Sequence, residues 1–481
     1  MSRFLSVFAA STSLVGACLA LSLVSVRPAQ AQLPNELLYS YAGQATRGYA
    51  TCRLTLGPDG NFYGTTFQNG KYGDGMLFRV SPSGQLTDLH DFTNGNDGSY
   101  PESGVLFDRE GNLYGDNTSG GPTNSGSVYK YSLATKTFTL LHRFNFWDGC
   151  GSNGLTLVGH SLYGVTYVGG ANFYGEVYRI DLPTATRPLK FEVLHSFSGS
   201  DGSVPWGPLA AGSDGNLYGT TSDFASWGLG TVFKITPAGD YTLLHAFSGP
   251  DGAYPIAGMT EGSDGLLYGT AVHGGPGYYL DGGNGAVFKM RQDGSDFHIL
   301  HAFDGSDGRG PVCVLQQASD GLLYGTTAAG GFREVGTVFR LNADGSVFDV
   351  IHDFHHYVKD ADHPLAGVVE GPDGNFYGAT GSGGAYGAGA VYMVPTHLPI
   401  ITSFSPPTTR ASAGTSVIIT GVNLDSISSV TIAGVSQSIL SVSATTVTFQ
   451  LNTATPAGAY PIVVTTLQGS STSARKFTVK P

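Results

Sequence analysis

Short apolar strands separated by glycine-rich turns recur along this chain in one order. In the copy around Tyr218, an apolar run begins near Pro205 and reaches Leu209. Asp214-Gly215 follows, a hairpin signal because both residues tolerate positive φ. The β-formers Asn216–Thr221 come next, then Val232–Ile235, the turn Pro237–Asp240, and Leu243–Phe247. These four segments are strands a, b, c and d. Their apolar residues fall on both faces, as expected of a sheet packed between two neighbours.

The order repeats seven times, marked by Tyr63, Tyr114, Tyr163, Tyr218, Tyr268, Tyr324 and Tyr377, each followed by glycine. The intervals of 51, 49, 55, 50, 56 and 53 residues predict one propeller blade per repeat. Leu37–Tyr41 reads as a d strand without its blade, and the last repeat ends at strand c with Val391-Tyr392-Met393. The N-terminal strand therefore completes the last blade. The expected architecture is all-β: a seven-bladed β-propeller over 33–395, followed by a second domain over 398–481.

Chain direction puts the tight a–b and c–d hairpins on one side and the longer b–c and d–a loops on the other. Variable loops on a rigid scaffold are where binding residues concentrate. Trp147, Trp206 and Trp227 fall on that side or its edge, as do His273, Tyr278, Tyr279 and Asp281 of the longest b–c loop. Loop aromatics suit stacking on sugar rings or partner side chains, against the plainer reading that they fill gaps between loops. Arg333 and Glu334 of the sixth repeat, and His355, His356, Tyr357, Lys359, Asp360, Asp362 and His363 before the seventh, depart from the repeat. If the protein is an enzyme, His355, His356 and Tyr357 are the acid–base candidates and Arg333 the charge neutraliser. Ordinary loop drift is the competing reading.

A histidine recurs in strand d as His90, His142, His195, His245, His301 and His352, with Tyr39 in the seventh place. Catalysis needs one such residue, so this one is read as structural. The recurring Asp97, Asp148, Asp201, Asp251 and Asp307 before strand a read as turn residues. As a ring of carboxylates at the channel mouth they would hold Ca²⁺, the lesser alternative. No other metal and no cofactor is expected.

Residues 4–26 are an apolar run after Arg3, and Ala29-Gln30-Ala31 matches a small-residue cleavage site, so 1–31 reads as a secretory signal peptide. Retention as an anchor and a lipoprotein-like site at Cys18 are the alternatives. Cleavage removes Arg3 and Arg27 and no acid, so the formal charge of −12 becomes −14. An acidic chain without a basic run excludes nucleic acid. No later segment is apolar enough to span a membrane. Cys52, Cys150 and Cys313 then remain, an odd number, read as small buried thiols rather than a disulfide framework.

After Val394 glycine thins and Ser, Thr and Val rise. The runs Thr415–Thr420, Val430–Ile432, Thr446–Leu451, Ala459–Thr465 and Lys476–Val479 predict a small Ig-like β-sandwich.

The repeats, with Asp-Gly-Asn-Leu-Tyr-Gly-Thr-Thr at 214–221 and Gly-Thr-Val-Phe at 230–233, resemble the GloVer tandem repeat of bacterial exported proteins over about residues 33–394. That resemblance implies export and carries no reaction; no C-terminal anchor is expected. Glycine pairs such as Gly169-Gly170 are also similar to those of kelch propellers, but a tryptophan in every blade is missing. The C-terminal segment is similar to the IPT/TIG Ig-like domain through Ile401–Pro406, Gly414-Thr415, Ile419–Leu424 and Phe477–Val479, which implies a spacer or interaction module.

The function expected is non-catalytic binding of an extracellular polysaccharide or protein by a secreted or cell-surface monomer, through Trp147, Trp206, Trp227, His273, Tyr278 and Tyr279. A polysaccharide lyase or glycoside hydrolase on the propeller is the alternative, and a structural envelope component the third reading.

Overall fold

The computed structural model describes residues 36–41, 52–223, 228–276, 282–355, 360–411, 414–466 and 468–481. Among them the chain is all-β, without an α-helix. Seven four-stranded antiparallel sheets follow one another, and none closes on itself. Sheet 4 is representative: Ala210–Ala211, Leu217–Thr221, Thr231–Ile235 and Tyr241–Ala246 are its strands a to d. The seventh sheet has two origins. Val369–Glu370, Phe376–Thr380 and Ala390–Val394 supply a to c, and Glu36–Ser40 pairs antiparallel with Ala390–Val394 as the fourth strand.

Strand a is shorter than the apolar run suggested. In sheet 4 regular pairing begins only at Ala210, and sheet 1, with no proline over 52–56, likewise pairs only Thr55–Leu56. Sheet 3 departs from this with a nine-residue strand, Cys150–Val158.

Each sheet packs on the next through the tyrosine that marks its repeat. Tyr63 of sheet 1 joins Phe92, Leu113 and Tyr129 at sheet 2, and Tyr218 of sheet 4 joins Phe288 and Met290 of sheet 5. The series also runs from sheet 7 to sheet 1, where Tyr377 stacks on Phe62 with centroids 4.1 Å apart. Six of the seven hydroxyls donate to the aspartate of their own a–b hairpin, at 2.6–3.0 Å. That aspartate also accepts the backbone N–H two residues on, as Asp214 does from Asn216 at 3.0 Å. The hairpin thus fixes the packing residue. Burial, then the bond to Asp59, pushes Tyr63 up to about 12.

The glycine after each tyrosine has a separate cause. The strand-c ring of the same sheet lies over its Cα. A Cβ on Gly219 would stand 2.5 Å from Phe233 Cζ, and one on Gly269 2.5 Å from Phe288 Cζ. Neither has positive φ, so close approach rather than backbone freedom demands glycine there.

The recurrent histidine and the recurrent Asp-Gly are one device. His90, His142, His195, His245 and His301 each place Nε2 2.7–3.2 Å from a carboxylate oxygen of the aspartate in the following turn. Each ring also stacks on an aromatic in or just before the next sheet's strand d, as His245 does on Phe297 at 4.0 Å and 8°. Burial lowers the pKa of His245, and Asp251 opposes that shift.

The C-terminal region forms the sheets of an Ig-like sandwich around Val417, Ile419, Val447, Phe449, Ile462 and Phe477. Strand Ser416–Val422 alternates exposed and buried positions, as a strand with one face on a core must. The run expected as one strand over 459–465 is two. Pro461 breaks it into Gly458–Tyr460, paired with Phe477–Lys480, and Ile462–Thr465, paired with Ser429–Ile432.

This region and the seven sheets lie within one compact unit, Gln32–Pro481. Leu398 is buried in the core of sheets 6 and 7, and its N–H donates to Gly374 O at 3.0 Å. Asn423 donates to Asp373 O at 2.5 Å, and Thr472 N–H to Ser319 O at 3.3 Å. The Ig-like module is thus docked on a–b hairpins, opposite the b–c and d–a loops. No helix among the described residues is long and apolar enough to cross a membrane.

Candidate functional site

Four aromatic residues are exposed together on the loop side of sheet 3. Phe146 and Trp147 come from the d–a turn, and Phe173 and Tyr174 from the b–c loop; Trp147 is 71% exposed and Phe173 50%. Phe173 lies 5.9 Å from Phe146 and 5.8 Å from Trp147. The two loops are tied by Gly170 N–H donating to Phe146 O at 2.8 Å, and the turn is braced by Asp148 accepting from Asn145 N–H at 2.8 Å.

Phe146 and Phe173 both adopt left-handed backbone, with φ of 70° and 68°. At the first position the other repeats carry Asn94, Gly199, Gly249 and Gly305; at the second, Gly73, Asn124, Glu334 and Gly387, all with positive φ. A bulky residue there costs about 1–2 kcal/mol. Neither ring recovers that cost by burial. Strain at exposed aromatics is a mark of a binding surface.

The remaining expected residues are dispersed. Trp206 is not on the loop face proper; half-buried, it lines a central cavity and packs on Tyr167 at 4.8 Å. His273 is exposed and meets Tyr254 edge-on at 5.8 Å. Arg333 lies over the exposed Phe332 ring at 4.9 Å. His355 donates its N–H to Asp360 at 2.8 Å and sets Nδ1 3.4 Å from the same carboxylate. Asp360 thereby repeats what Asp201 does for Ser198 N–H at 2.8 Å, so part of this divergent loop reproduces the repeat turn. Trp227, Tyr278, Tyr279, Asp281, His356, Tyr357 and Lys359 lie outside the described residues.

The ring of turn aspartates is engaged, each by its histidine, and no group of three or more His, Cys, Asp or Glu converges as metal ligands among the described residues. Cys52 and Cys313 are buried thiols, bonded to Thr65 O at 2.9 Å and Thr326 O at 3.4 Å; Cys150 is only half-buried.

The central cavity has a volume of about 540 Å³ and is lined by the start of strand a in every sheet: 53–56, 102–107, 153–155, 206–208, 256–258, 312–314, and 365–367 with 369. Its walls on sheets 5 to 7 are small or aliphatic, but two charges enter it. Glu102 is half-buried, makes no hydrogen bond or ion pair among the described residues, and is pushed up to about 7 by burial and by Asp116 behind it. Asp116 is fully buried and accepts from Ser152 Oγ at 2.6 Å and Gly154 N–H at 2.8 Å. Arg53 donates to Gln316 Oε1, and burial lowers its pKa. The sequence reading missed both cavity charges. Their signal is columnar: Trp206, Ile256, Val312 and Leu365 stand where Glu102 does, and Gly104, Gly154, Pro208, Gly258, Val314 and Gly367 where Arg53 does.

Solved structures with similar arrangements include the extracellular domain of a proposed one-component system from B. thetaiotaomicron, at 11% identity and TM-score 0.49, covering 94% of this chain and 59% of that one. TolB from Acinetobacter baumannii aligns at 16% identity and TM-score 0.38, covering 60% and 62%. A gluconolactonase from Xanthomonas campestris aligns at 17% and 0.37, covering 64% and 96%. The chain thus spans under two thirds of the first two, and every TM-score is below 0.5, so none assigns a function. No curated protein matches the chain. The IPT/TIG domain matches residues 399–479, and the Gloeobacter/Verrucomicrobia repeat matches 22–223 and 205–437. The propeller-like repeats and the appended Ig-like domain thus have their family: the chain belongs to the Gloeobacter/Verrucomicrobia repeat proteins, with a C-terminal IPT/TIG domain.

Proposed function

We propose that the seven sheets close into one seven-bladed propeller over 33–395, and that the protein, exported by removal of 1–31, binds an extracellular glycan without catalysis through its loop-rich face. Closure is supported by the Tyr377–Phe62 stack between the last and first sheets and by the cavity to which every sheet contributes. The binding reading rests on one observation: Phe146 and Phe173, in contact and exposed, hold left-handed positions beside Trp147. Aromatic faces pack on the C–H faces of sugar rings without charge, which suits an acidic chain. The docked Ig-like module leaves this face free and serves as a spacer.

The test is retention of the mature protein on immobilised neutral and acidic polysaccharides, with released material weighed by mass spectrometry. Retention without new oligosaccharides is expected, weakened at least tenfold in Trp147→Ala/Phe173→Ala. New oligosaccharides would replace binding with lyase or hydrolase chemistry. Undiminished retention of the double variant would displace the site from sheet 3, and no retention on any glycan would sink the glycan reading in favour of a protein partner or an envelope component.

A further inference from the structure

The cavity residues carry a second inference, independent of the loop face. The fold does not need a charge at either column, since other sheets fill the Glu102 column with Trp206, Ile256, Val312 and Leu365 and the Arg53 column with glycine, proline or valine. Arg53 belongs to sheet 1 and Gln316 to sheet 6, so the side chain reaches past the intervening sheet 7, whose lining at Ala366-Gly367 is nearly free of side chain. A guanidinium has five N–H donors and a permanent charge. Among the described residues its polar partner is one neutral amide, and no carboxylate pairs with it. Arg53 is half-buried; holding a charge there without a counter-charge is unfavourable, and an anionic ligand offsets that cost.

The rest of the cavity narrows the anion. Ile256, Val312, Val314 and Leu365 offer an aliphatic wall, and Trp206, backed by Tyr167, an aromatic one. A bare inorganic anion would leave those walls unused. A volume of about 540 Å³ falls within the range of small-molecule sites. We infer that this cavity binds a small organic carboxylate, its carboxylate held by Arg53 and its apolar or ring body against the wall of sheets 4 to 7. Glu102 then faces the ligand as the one unpaired carboxyl among the described lining residues; in its acid form it donates to a ligand hydroxyl or carbonyl.

The experiment is titration calorimetry of the mature protein with benzoate, hexanoate and glucuronate, against benzamide, hexanol, glucose and inorganic phosphate. Saturable one-to-one binding of a carboxylate is expected, at least tenfold tighter than its neutral counterpart. Which carboxylate binds separates an aryl, alkyl or sugar-acid body. Arg53→Met, which keeps the aliphatic stem, should abolish it, whereas Trp147→Ala/Phe173→Ala should leave it intact and so separates this site from the loop face. Because Arg53→Met could disturb folding, Gln316→Glu supplies a second arm. It gives Arg53 an internal carboxylate, so it should raise the melting temperature and weaken the ligand at least tenfold. The inference is overturned if no carboxylate binds, if phosphate binds as tightly, or if Gln316→Glu leaves the affinity unchanged.

Discussion

Phe146 is where the demands of the fold and the residue present part company. Its turn position asks for glycine: φ is 70°, and the equivalent Gly199, Gly249 and Gly305 sit at 83°, 102° and 93°. A phenylalanine there is strained and still 41% exposed, so the fold gains little from it. Phe146→Gly restores the consensus. Relief of about 1–2 kcal/mol of backbone strain is set against about 0.5–1 kcal/mol for the greater freedom of glycine in the unfolded chain. The melting temperature should therefore hold or rise while glycan retention falls. A clear drop in melting temperature would make Phe146 a structural residue and remove the main support for the loop-face site. The same comparison of columns exposes Glu102 and Arg53, which no local motif announces. A charge used once in seven copies is visible only against the other six. The sequence reading weighed departures in the loops, and Trp206 at the start of strand a, but passed over the two charges there.

At the scale of the element, the order of strands was legible because each segment carries its own local signal. Strand c is a short apolar run in Val232–Ile235, the Asp-Gly hairpins are chemically specific, and the tyrosine recurs at a near-constant interval. What was not legible depended on partners in other strands or other sheets. The stack of His245 on Phe297 joins neighbouring sheets, so spacing showed the histidine and the aspartate but not that they bind each other. The glycine after the tyrosine likewise depends on a ring across the ladder. That role predicts a cost with a known cause. Gly269→Ala would put a methyl 2.5 Å from Phe288 Cζ in a packed interior and should destabilise by about 1–3 kcal/mol in a urea titration. Phe288→Leu withdraws the ring, so the alanine should cost distinctly less in that background. Equal costs in both backgrounds would reject the close-approach explanation. Proline set another departure, splitting the 459–465 strand at Pro461.

For the whole molecule the question is what holds the last sheet to the first. Two links are present. Covalently distant strands pair where Glu36–Ser40 meets Ala390–Val394, and side chains pack where Tyr377 stacks on Phe62. The pairing does more than add one strand. Tyr41 continues it, donating its N–H to Gly389 O at 3.0 Å, and its buried ring meets Phe78 of sheet 1 edge-on at 5.9 Å. Residues 36–41 therefore act as a clasp that touches both sheets. Deleting them leaves Ala390–Val394 as an open edge with apolar neighbours, the condition under which strands recruit other chains. The shortened protein should melt at a lower temperature and form oligomers on size exclusion. A synthetic peptide spanning 32–42, added in excess, should restore both the monomer and the melting temperature. Restoration in trans would show that strand pairing, rather than the connection of the chain, is what holds the last sheet to the first. If the shortened protein stays monomeric at an unchanged melting temperature, the Tyr377–Phe62 packing alone is enough to join the two sheets, and the N-terminal strand is an accessory to that contact.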